Sequence, residues 1–220
     1  NLTGANTNAA FTATFTFSEN VSGFTAADVT TGNASVSNFS ASSASVYTAT
    51  ITPTSDGAVT VDVPANAAQD AAGNSSTAAT QFTTNFDGTA PSVVITSNLT
   101  GANTNAAFTA TFTFSEDVSG FTAADVTTGN ASVSNFSASS ASVYTATITP
   151  TSDGAVTVDV PANATQDVAG NNSTAATQFT TNFDGTAPSV VITSSLSGAT
   201  TNGAFTATFT FSEDVTGFTA

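Results

Sequence analysis

Apolar and polar residues alternate strictly along Phe108-Thr-Ala-Thr-Phe-Thr-Phe114, which puts Phe108, Ala110, Phe112 and Phe114 on one face of an extended strand and Thr109, Thr111 and Thr113 on the other. The same period of two runs through Tyr144–Ile148 and Val156–Val160 and, more weakly, Phe179–Phe183. With the intervening segments, the pattern predicts seven strands over 92–97, 108–115, 124–128, 131–137, 142–149, 155–160 and 174–183. Turn chemistry separates them at Gly129-Asn130, Ser139-Ser140 and Ser152-Asp153-Gly154. No segment carries a helical period. Half-buried strands of this length predict two packed antiparallel sheets, with Phe108, Phe112, Phe114, Phe121, Tyr144, Ile148, Val156, Val158, Phe179 and Phe183 in the core. Thr145, Thr147 and Thr149 face the same way as the threonines of 109–113, so the two rows should pair across neighbouring strands.

This unit is repeated. Asn98-Leu99-Thr100-Gly101 returns Asn1-Leu2-Thr3-Gly4, Phe108 returns Phe11, and Pro188 returns Pro91, each 97 positions on. Between the first two copies only Asn20→Asp117, Ala68→Thr165, Ala71→Val168 and Ser75→Asn172 differ. A period of domain size indicates beads in a row, not the short units of a solenoid. The division is 1–86, a repeat lacking its first strand; 87–183, a complete repeat; and 184–220, the start of a third. Seven strands in about 97 residues fit an all-β architecture of tandem immunoglobulin-like β-sandwiches. Pro91 fixes its own backbone and biases Ala90 to an extended form, so successive sandwiches should stack end to end across Asp87–Pro91, advancing roughly 35–45 Å per repeat.

Composition restricts function more than fold. The chain has no Lys, Arg or His and 15 Asp plus Glu, a net charge of −15. Nothing is available to neutralise phosphate, which argues against nucleic acid and anionic membrane as partners. Counterions must come from outside, and oxygen-only ligands suit hard divalent cations, calcium above all. With no Cys there is no disulfide scaffold and no thiolate metal site. A hydrophobic fraction of 40% with 18 Phe is enough for packed cores. No apolar run approaches the roughly 20 residues of a membrane-spanning helix. Ser or Thr nucleophiles would need a His or Lys base that the chain lacks, and adjacent Glu116 and Asp117 recur in every copy, so no enzyme is expected.

The segments Phe108-Thr-Ala-Thr-Phe-Thr-Phe-Ser-Glu-Asp-Val118, Gly120-Phe121-Thr122, Tyr144-Thr-Ala-Thr-Ile-Thr-Pro150, Asp153-Gly-Ala-Val-Thr-Val-Asp-Val160, Asp167-Val-Ala-Gly-Asn171 and Asp87-Gly-Thr-Ala-Pro91 resemble bacterial Ig-like repeats of giant cell-surface adhesins and secreted array proteins. The resemblance covers the whole chain and implies a bacterial, extracellular or cell-surface, structural role. Such modules serve as stalks, spacers, ligand-binding tips or parts of filaments. Lys–Asn isopeptide bonds, which stiffen some Ig-like surface modules, are impossible without Lys.

Placed on a seven-strand sandwich, the acidic residues gather at the pole beside the incoming linker. The linker brings Asp87, the loop after 108–115 brings Glu116, Asp117 and Asp125, and the loop after 155–160 brings Asp167 and Asn171. Several loops presenting carboxylates at one pole predict a junction calcium site, repeated at the next junction by Asp184, Glu213 and Asp214. Asp and Asn are also favoured in loops for turns and caps alone. Asp56 and Asp153, each followed by Gly, read as plain turn residues, and Asp62 and Asp159 as solvated strand residues.

The threonine rows fit a solvated β-surface, and they also suit O-glycosylation, a flat surface-binding array or lateral packing between chains. Asn130-Ala-Ser132, Asn135-Phe-Ser137 and Asn172-Ser-Thr174 match the N-glycan acceptor pattern, as chance allows in so Asn- and Ser-rich a sequence. Three functions follow: the stalk of a surface adhesin, with neighbouring repeats of the same chain as its contacts; the building block of a self-assembling filament or biofilm fibre, with identical chains as partners; and a carbohydrate-binding module. Strand edges without Lys lean toward assembly, and the apolar strand Phe205–Phe211 needs a sandwich completed by its own chain or a neighbour.

Overall fold

The computed structural model describes residues 6–196 and 200–219. The first repeat contains β1 (Asn6–Thr7), β2 (Phe11–Thr16), β3 (Thr30–Gly32), β4 (Ala34–Ala41), β5 (Val46–Pro53), β6 (Gly57–Asp62) and β7 (Phe82–Phe86). The second contains β8 (Val93–Ser97), β9 (Asn103–Thr104), β10 (Phe108–Phe114), β11 (Thr127–Gly129), β12 (Ala131–Ala138), β13 (Val143–Pro150), β14 (Gly154–Asp159) and β15 (Phe179–Phe183). The third starts with β16 (Val190–Ser194) and β17 (Ala207–Phe211). No α-helix occurs among the described residues, and so no helix long and apolar enough to cross a membrane.

In the second repeat, one sheet runs β12-β13-β10-β8 and the other β11-β14-β15-β9. This is the four-plus-three arrangement of an immunoglobulin-type sandwich, with β9 added as a short parallel partner of β15. The leading edge of the repeat is therefore split: β8 pairs with β10, after which the chain crosses to the other sheet. The alternation in Phe108–Phe114 makes this possible, since every second residue is buried and the intervening threonines stay at the surface. Thr109 lies opposite Thr147 and Thr111 opposite Thr145, as the pattern predicts.

The core joins both sheets through Phe112, Ile148, Val156, Val158 and Val160, all fully buried. Phe121, from the loop after β10, closes one end. Its ring centroid lies 5.0 Å from Phe114, 5.1 Å from Tyr144, 5.5 Å from Phe136 and 5.6 Å from Phe112, all edge-on, the geometry that ring quadrupoles favour.

Three expectations need correction. Residues 123–125 form a 3-10 turn and the strand begins only at Thr127, because Asp125 caps the turn through the amide (2.8 Å) and hydroxyl (2.8 Å) of Thr122. The last strand covers 179–183 only, leaving 174–178 irregular. Phe179 and Phe183 are half-buried, and the buried position between them belongs to Thr181, whose hydroxyl donates to the carbonyl of Ala102 at 2.9 Å. Two sequon asparagines are structural. Asn130 (φ 56°) donates to the carbonyl of Ser152 and accepts from the hydroxyls of Thr151 and Ser152; Asn135 (φ 49°) sits in the bulge of β12 and donates to the Thr147 hydroxyl.

Among the described residues, the first repeat has sheets β2-β5-β4 and β1-β7-β6-β3, in which no strand pairs with the outer edge of β2. Phe11, Ala13, Phe15 and Phe17 are accordingly half-buried, whereas their counterparts Phe108, Ala110, Phe112 and Phe114 are 4% exposed or less. In the third repeat β16 pairs with β17 in the register of β8 on β10, Ile192 opposite Phe209 as Ile95 is opposite Phe112.

Candidate functional site at the repeat junction

The segment Asp87–Pro91 leaves β7 and is fastened on both sides. Toward the first repeat, the amide of Asp87 donates to the carbonyl of Thr7 at 3.0 Å. Asp56, in the turn between β5 and β6, then accepts the Gly88 amide on one carboxylate oxygen (2.7 Å) and the Thr89 hydroxyl on the other. Gly88 is needed for closeness: a Cβ there would meet the ring of Phe86 at 3.0 Å. The next linker repeats the device, with Asp153 accepting from the amide of Gly185 at 2.6 Å and the hydroxyl of Thr186 at 2.5 Å. Asp56 and Asp153 are thus linker clamps, which corrects their reading as plain turn residues. These bonds to the charged form, the Thr hydroxyl first and the Gly amide second, hold both carboxyls below the ordinary Asp value of 3.8.

Toward the second repeat, the side-chain amide of Asn171 donates to the carbonyl of Asp87 at 2.8 Å and to Asp167 at 2.8 Å. Asp167 also accepts the amides of Gly170 (2.7 Å) and Asn171 (2.8 Å) on its other oxygen. The counterpart loop of the first repeat has the same kind of internal bonds, with Asp70 accepting from the amides of Ala72 and Asn74, both at 2.8 Å. The loop therefore builds itself, and the linker adds the bond to Asp87. Pro91 is fully buried beneath it, its carbonyl accepting from the Thr174 amide at 2.9 Å. A Cβ at Gly170 would lie 3.6 Å from the Asn8 side chain, so the poles of the two repeats approach directly.

The same closure brings acids together. One carboxylate oxygen each from Asp87, Glu116 and Asp167 lie within 4.8 Å of one another, Asp167 buried and the other two half-buried. Burial pushes the Glu116 carboxyl above its ordinary pKa of 4.5, and the charges of Asp87, Asp167 and Asp56 add to the effect in that order. Of the predicted ligands, Asp87, Glu116 and Asp167 meet, and Asn171 lies on the group through Asp167 and the Asp87 carbonyl. Asp125 does not join, its carboxylate being committed to Thr122, and Asp117 is exposed outside it. Asp184, Glu213 and Asp214 form no such group among the described residues. One oxygen of Glu213 is nonetheless buried without a hydrogen-bond partner, in the position that Glu116 holds one repeat earlier.

Sequence reasoning missed the clamp. The recurrence of Asp-Gly at 56 and 153, in step with Gly-Thr at 88 and 185, was the available signal.

The sequence profile of the bacterial Ig-like domain matches residues 1–86 and again 87–183. No curated protein matches the chain. Among solved structures it is similar to the Escherichia coli adhesin FdeC, at 18% identity and a TM-score of 0.39, over 95% of this chain and 70% of that one. InvD of Yersinia pseudotuberculosis follows at 18% and 0.40, over 91% and 63%, and invasin, a bacterial integrin-binding protein, at 16% and 0.41, over 96% and 46%. The chain thus spans less than two thirds of the InvD and invasin structures. With two copies of the repeat unit matched by the profile and an immunoglobulin-type sandwich in place, the chain belongs to the bacterial Ig-like domain family, as a tandem array of its repeats.

Proposed function

We propose that these repeats are a non-catalytic extracellular stalk: a row of sandwiches that sets a distance between a bacterial surface and whatever the row presents. The observation that supports this is the double fastening of the linker. Asp56 holds Gly88 and Thr89 to one repeat while Asn171 holds Asp87 to the next, so bending must break bonds at one side or the other. Negative-stain imaging of cells carrying the protein tests the role. Thin strings projecting from the surface support a stalk, and repeats absent from the surface contradict it.

A cation belongs to the same proposal. Three carboxylates within 4.8 Å repel one another, and the chain has no cation of its own to set between them. Calcium accepts oxygen ligands of this kind, with Asn171 or backbone carbonyls available to extend the shell. Extracellular calcium modules bind with dissociation constants of roughly 10⁻⁴–10⁻³ M, so ten times that concentration adds about 1.4 kcal/mol per site. The effect is therefore on stiffness more than on folding. Calorimetric titration with calcium should give heat that Glu116→Gln abolishes; no heat in the unaltered chain would leave the three acids as ordinary loop residues.

A further inference from the structure

We propose that the Asp-Gly steps of the junctions are covalent modification sites: protected while the linker is clamped, and open to isoaspartate formation when the linker leaves its clamp.

The chain has four Asp-Gly steps, and all four belong to the clamps. Asp56-Gly57 meets Asp87-Gly88, and Asp153-Gly154 meets Asp184-Gly185. Asp followed by Gly is the step most prone to cyclise, because a residue without a Cβ leaves the attack unhindered. The glycine nitrogen bonds to Cγ of the aspartate, the amide proton and the carboxyl hydroxyl leave as water, and a succinimide closes. Water then opens the ring at either carbonyl. Opening at the side-chain carbonyl restores Asp; opening at the main-chain carbonyl routes the chain through the side chain and lengthens it by one methylene. Only water is released and taken up.

Cyclisation requires the glycine nitrogen in contact with its own aspartate's Cγ. In the clamp, each group that must move is tied elsewhere. The Gly88 amide donates to Asp56 at 2.7 Å, and the Asp87 carboxylate accepts the Thr89 amide at 3.1 Å. The main chain of Asp87 is held on both sides, its amide donating to Thr7 at 3.0 Å and its carbonyl accepting from Asn171 at 2.8 Å. Protection is mutual. Both oxygens of Asp56 are drawn to Gly88 and Thr89, while its own neighbour Gly57 is paired with Phe86 at the start of β6. The second clamp repeats this, with the Gly185 amide on Asp153 at 2.6 Å and the Asp184 carboxylate on the Thr186 amide at 3.1 Å. Gly88 and Gly185 are exposed, so water for the second step reaches both.

Release reverses the protection. A linker bent out of its clamp presents an unhindered glycine amide beside a free carboxyl. Once the isoaspartyl bond forms, the added methylene displaces Gly88 from Asp56, and the clamp cannot close again in its register. A junction thus keeps a permanent record of having opened, at a rate set by the fraction of time its clamp is open.

The test is to hold the 220-residue chain warm at neutral pH for several weeks and to measure isoaspartate at each step by electron-transfer mass spectrometry of proteolytic fragments. The same chain kept unfolded in urea gives the unprotected rate. All four steps should be far slower in the folded chain. Asp56→Ala should speed the step at Asp87 roughly tenfold, through the loss of two bonds to a charged group, and leave the step at Asp184 as slow as before. Thr89→Val, which removes one of the two bonds, should give an intermediate rate at Asp87. Asp153→Ala should act on Asp184 alone. The proposal is overturned if the folded and urea rates agree at the clamped steps, or if Asp56→Ala leaves Asp87 unchanged. Slower reaction at Asp87 in Asp56→Ala would make Asp56 a base for the cyclisation and would overturn it too, as would equal acceleration at both junctions.

Discussion

Phe112 is fully buried in the second repeat, on a strand flanked by β8 and β13. Truncating a buried Phe costs about 3–5 kcal/mol, a large share of a domain margin of roughly 5–15 kcal/mol. Phe112→Ala should therefore unfold the second repeat at a markedly lower denaturant midpoint, which a urea titration of the variant beside the unaltered chain measures. Acids at this scale act in opposite directions with pH. Asp56 and Asp153 have lowered values, so their clamps are complete above the ordinary Asp value of 3.8 and are lost as pH falls through the lower folded value. Glu116 has a raised value, so the junction binds a proton more readily than the unfolded chain does, and its stability rises as pH falls from neutral toward 4.5. Thermal melts from pH 7 to pH 3 should show stability rising and then falling, and calcium should flatten the upper part. A steady decline from pH 7 would contradict the burial and the neighbouring charges that raise Glu116.

At the scale of the element, the strands are legible because their period of two is written in the residues themselves: Phe108–Phe114 reads as one buried and one exposed face from its side chains alone. What is not legible depends on partners distant in the chain or on local competition for a side chain. Ala124–Thr128 reads as a strand, but Asp125 turns it by capping Thr122. Phe179 and Phe183 look like core, yet they lie at the two ends of β15, where the sandwich covers them only partly. The junction acids are legible as a set of loops sharing a pole, and three of them meet. Their full membership is not, since a side chain such as Asp125 can be spent on its own turn. The clamp lies deeper, because Asp56 and Gly88 are 32 residues apart and nothing local to either announces the bond. Asn171→Ala removes the bonds to Asp87 and Asp167 from a partly buried site, which should cost roughly 1–3 kcal/mol and should loosen the linker while leaving both sandwiches folded. Hydrogen exchange would show this as faster exchange at 87–90 with β10 and β13 unchanged; uniform acceleration would mean that the loop supports the whole domain.

For the molecule as a whole, the geometry describes a row of sandwiches whose linkers are short, clamped and negatively charged. At the Asp87 junction, where three carboxylates meet, monovalent salt should relax repulsion over the roughly 8–10 Å screening length and divalent cations should act at the carboxylates themselves. The rod is the property on which the stalk reading depends. Because the chain has no Cys, two can be introduced without background. Ser37 and Ser134 occupy the same exposed position on β4 and β12 of successive repeats. Spin labels at Ser37→Cys and Ser134→Cys should give a single narrow distance distribution by pulsed electron spin resonance, near the advance of roughly 35–45 Å expected for end-to-end sandwiches. Asp56→Ala with Asn171→Ala should broaden it. A distribution already broad in the unaltered pair, or one centred at the short distance of repeats folded side by side, would contradict a clamped rod.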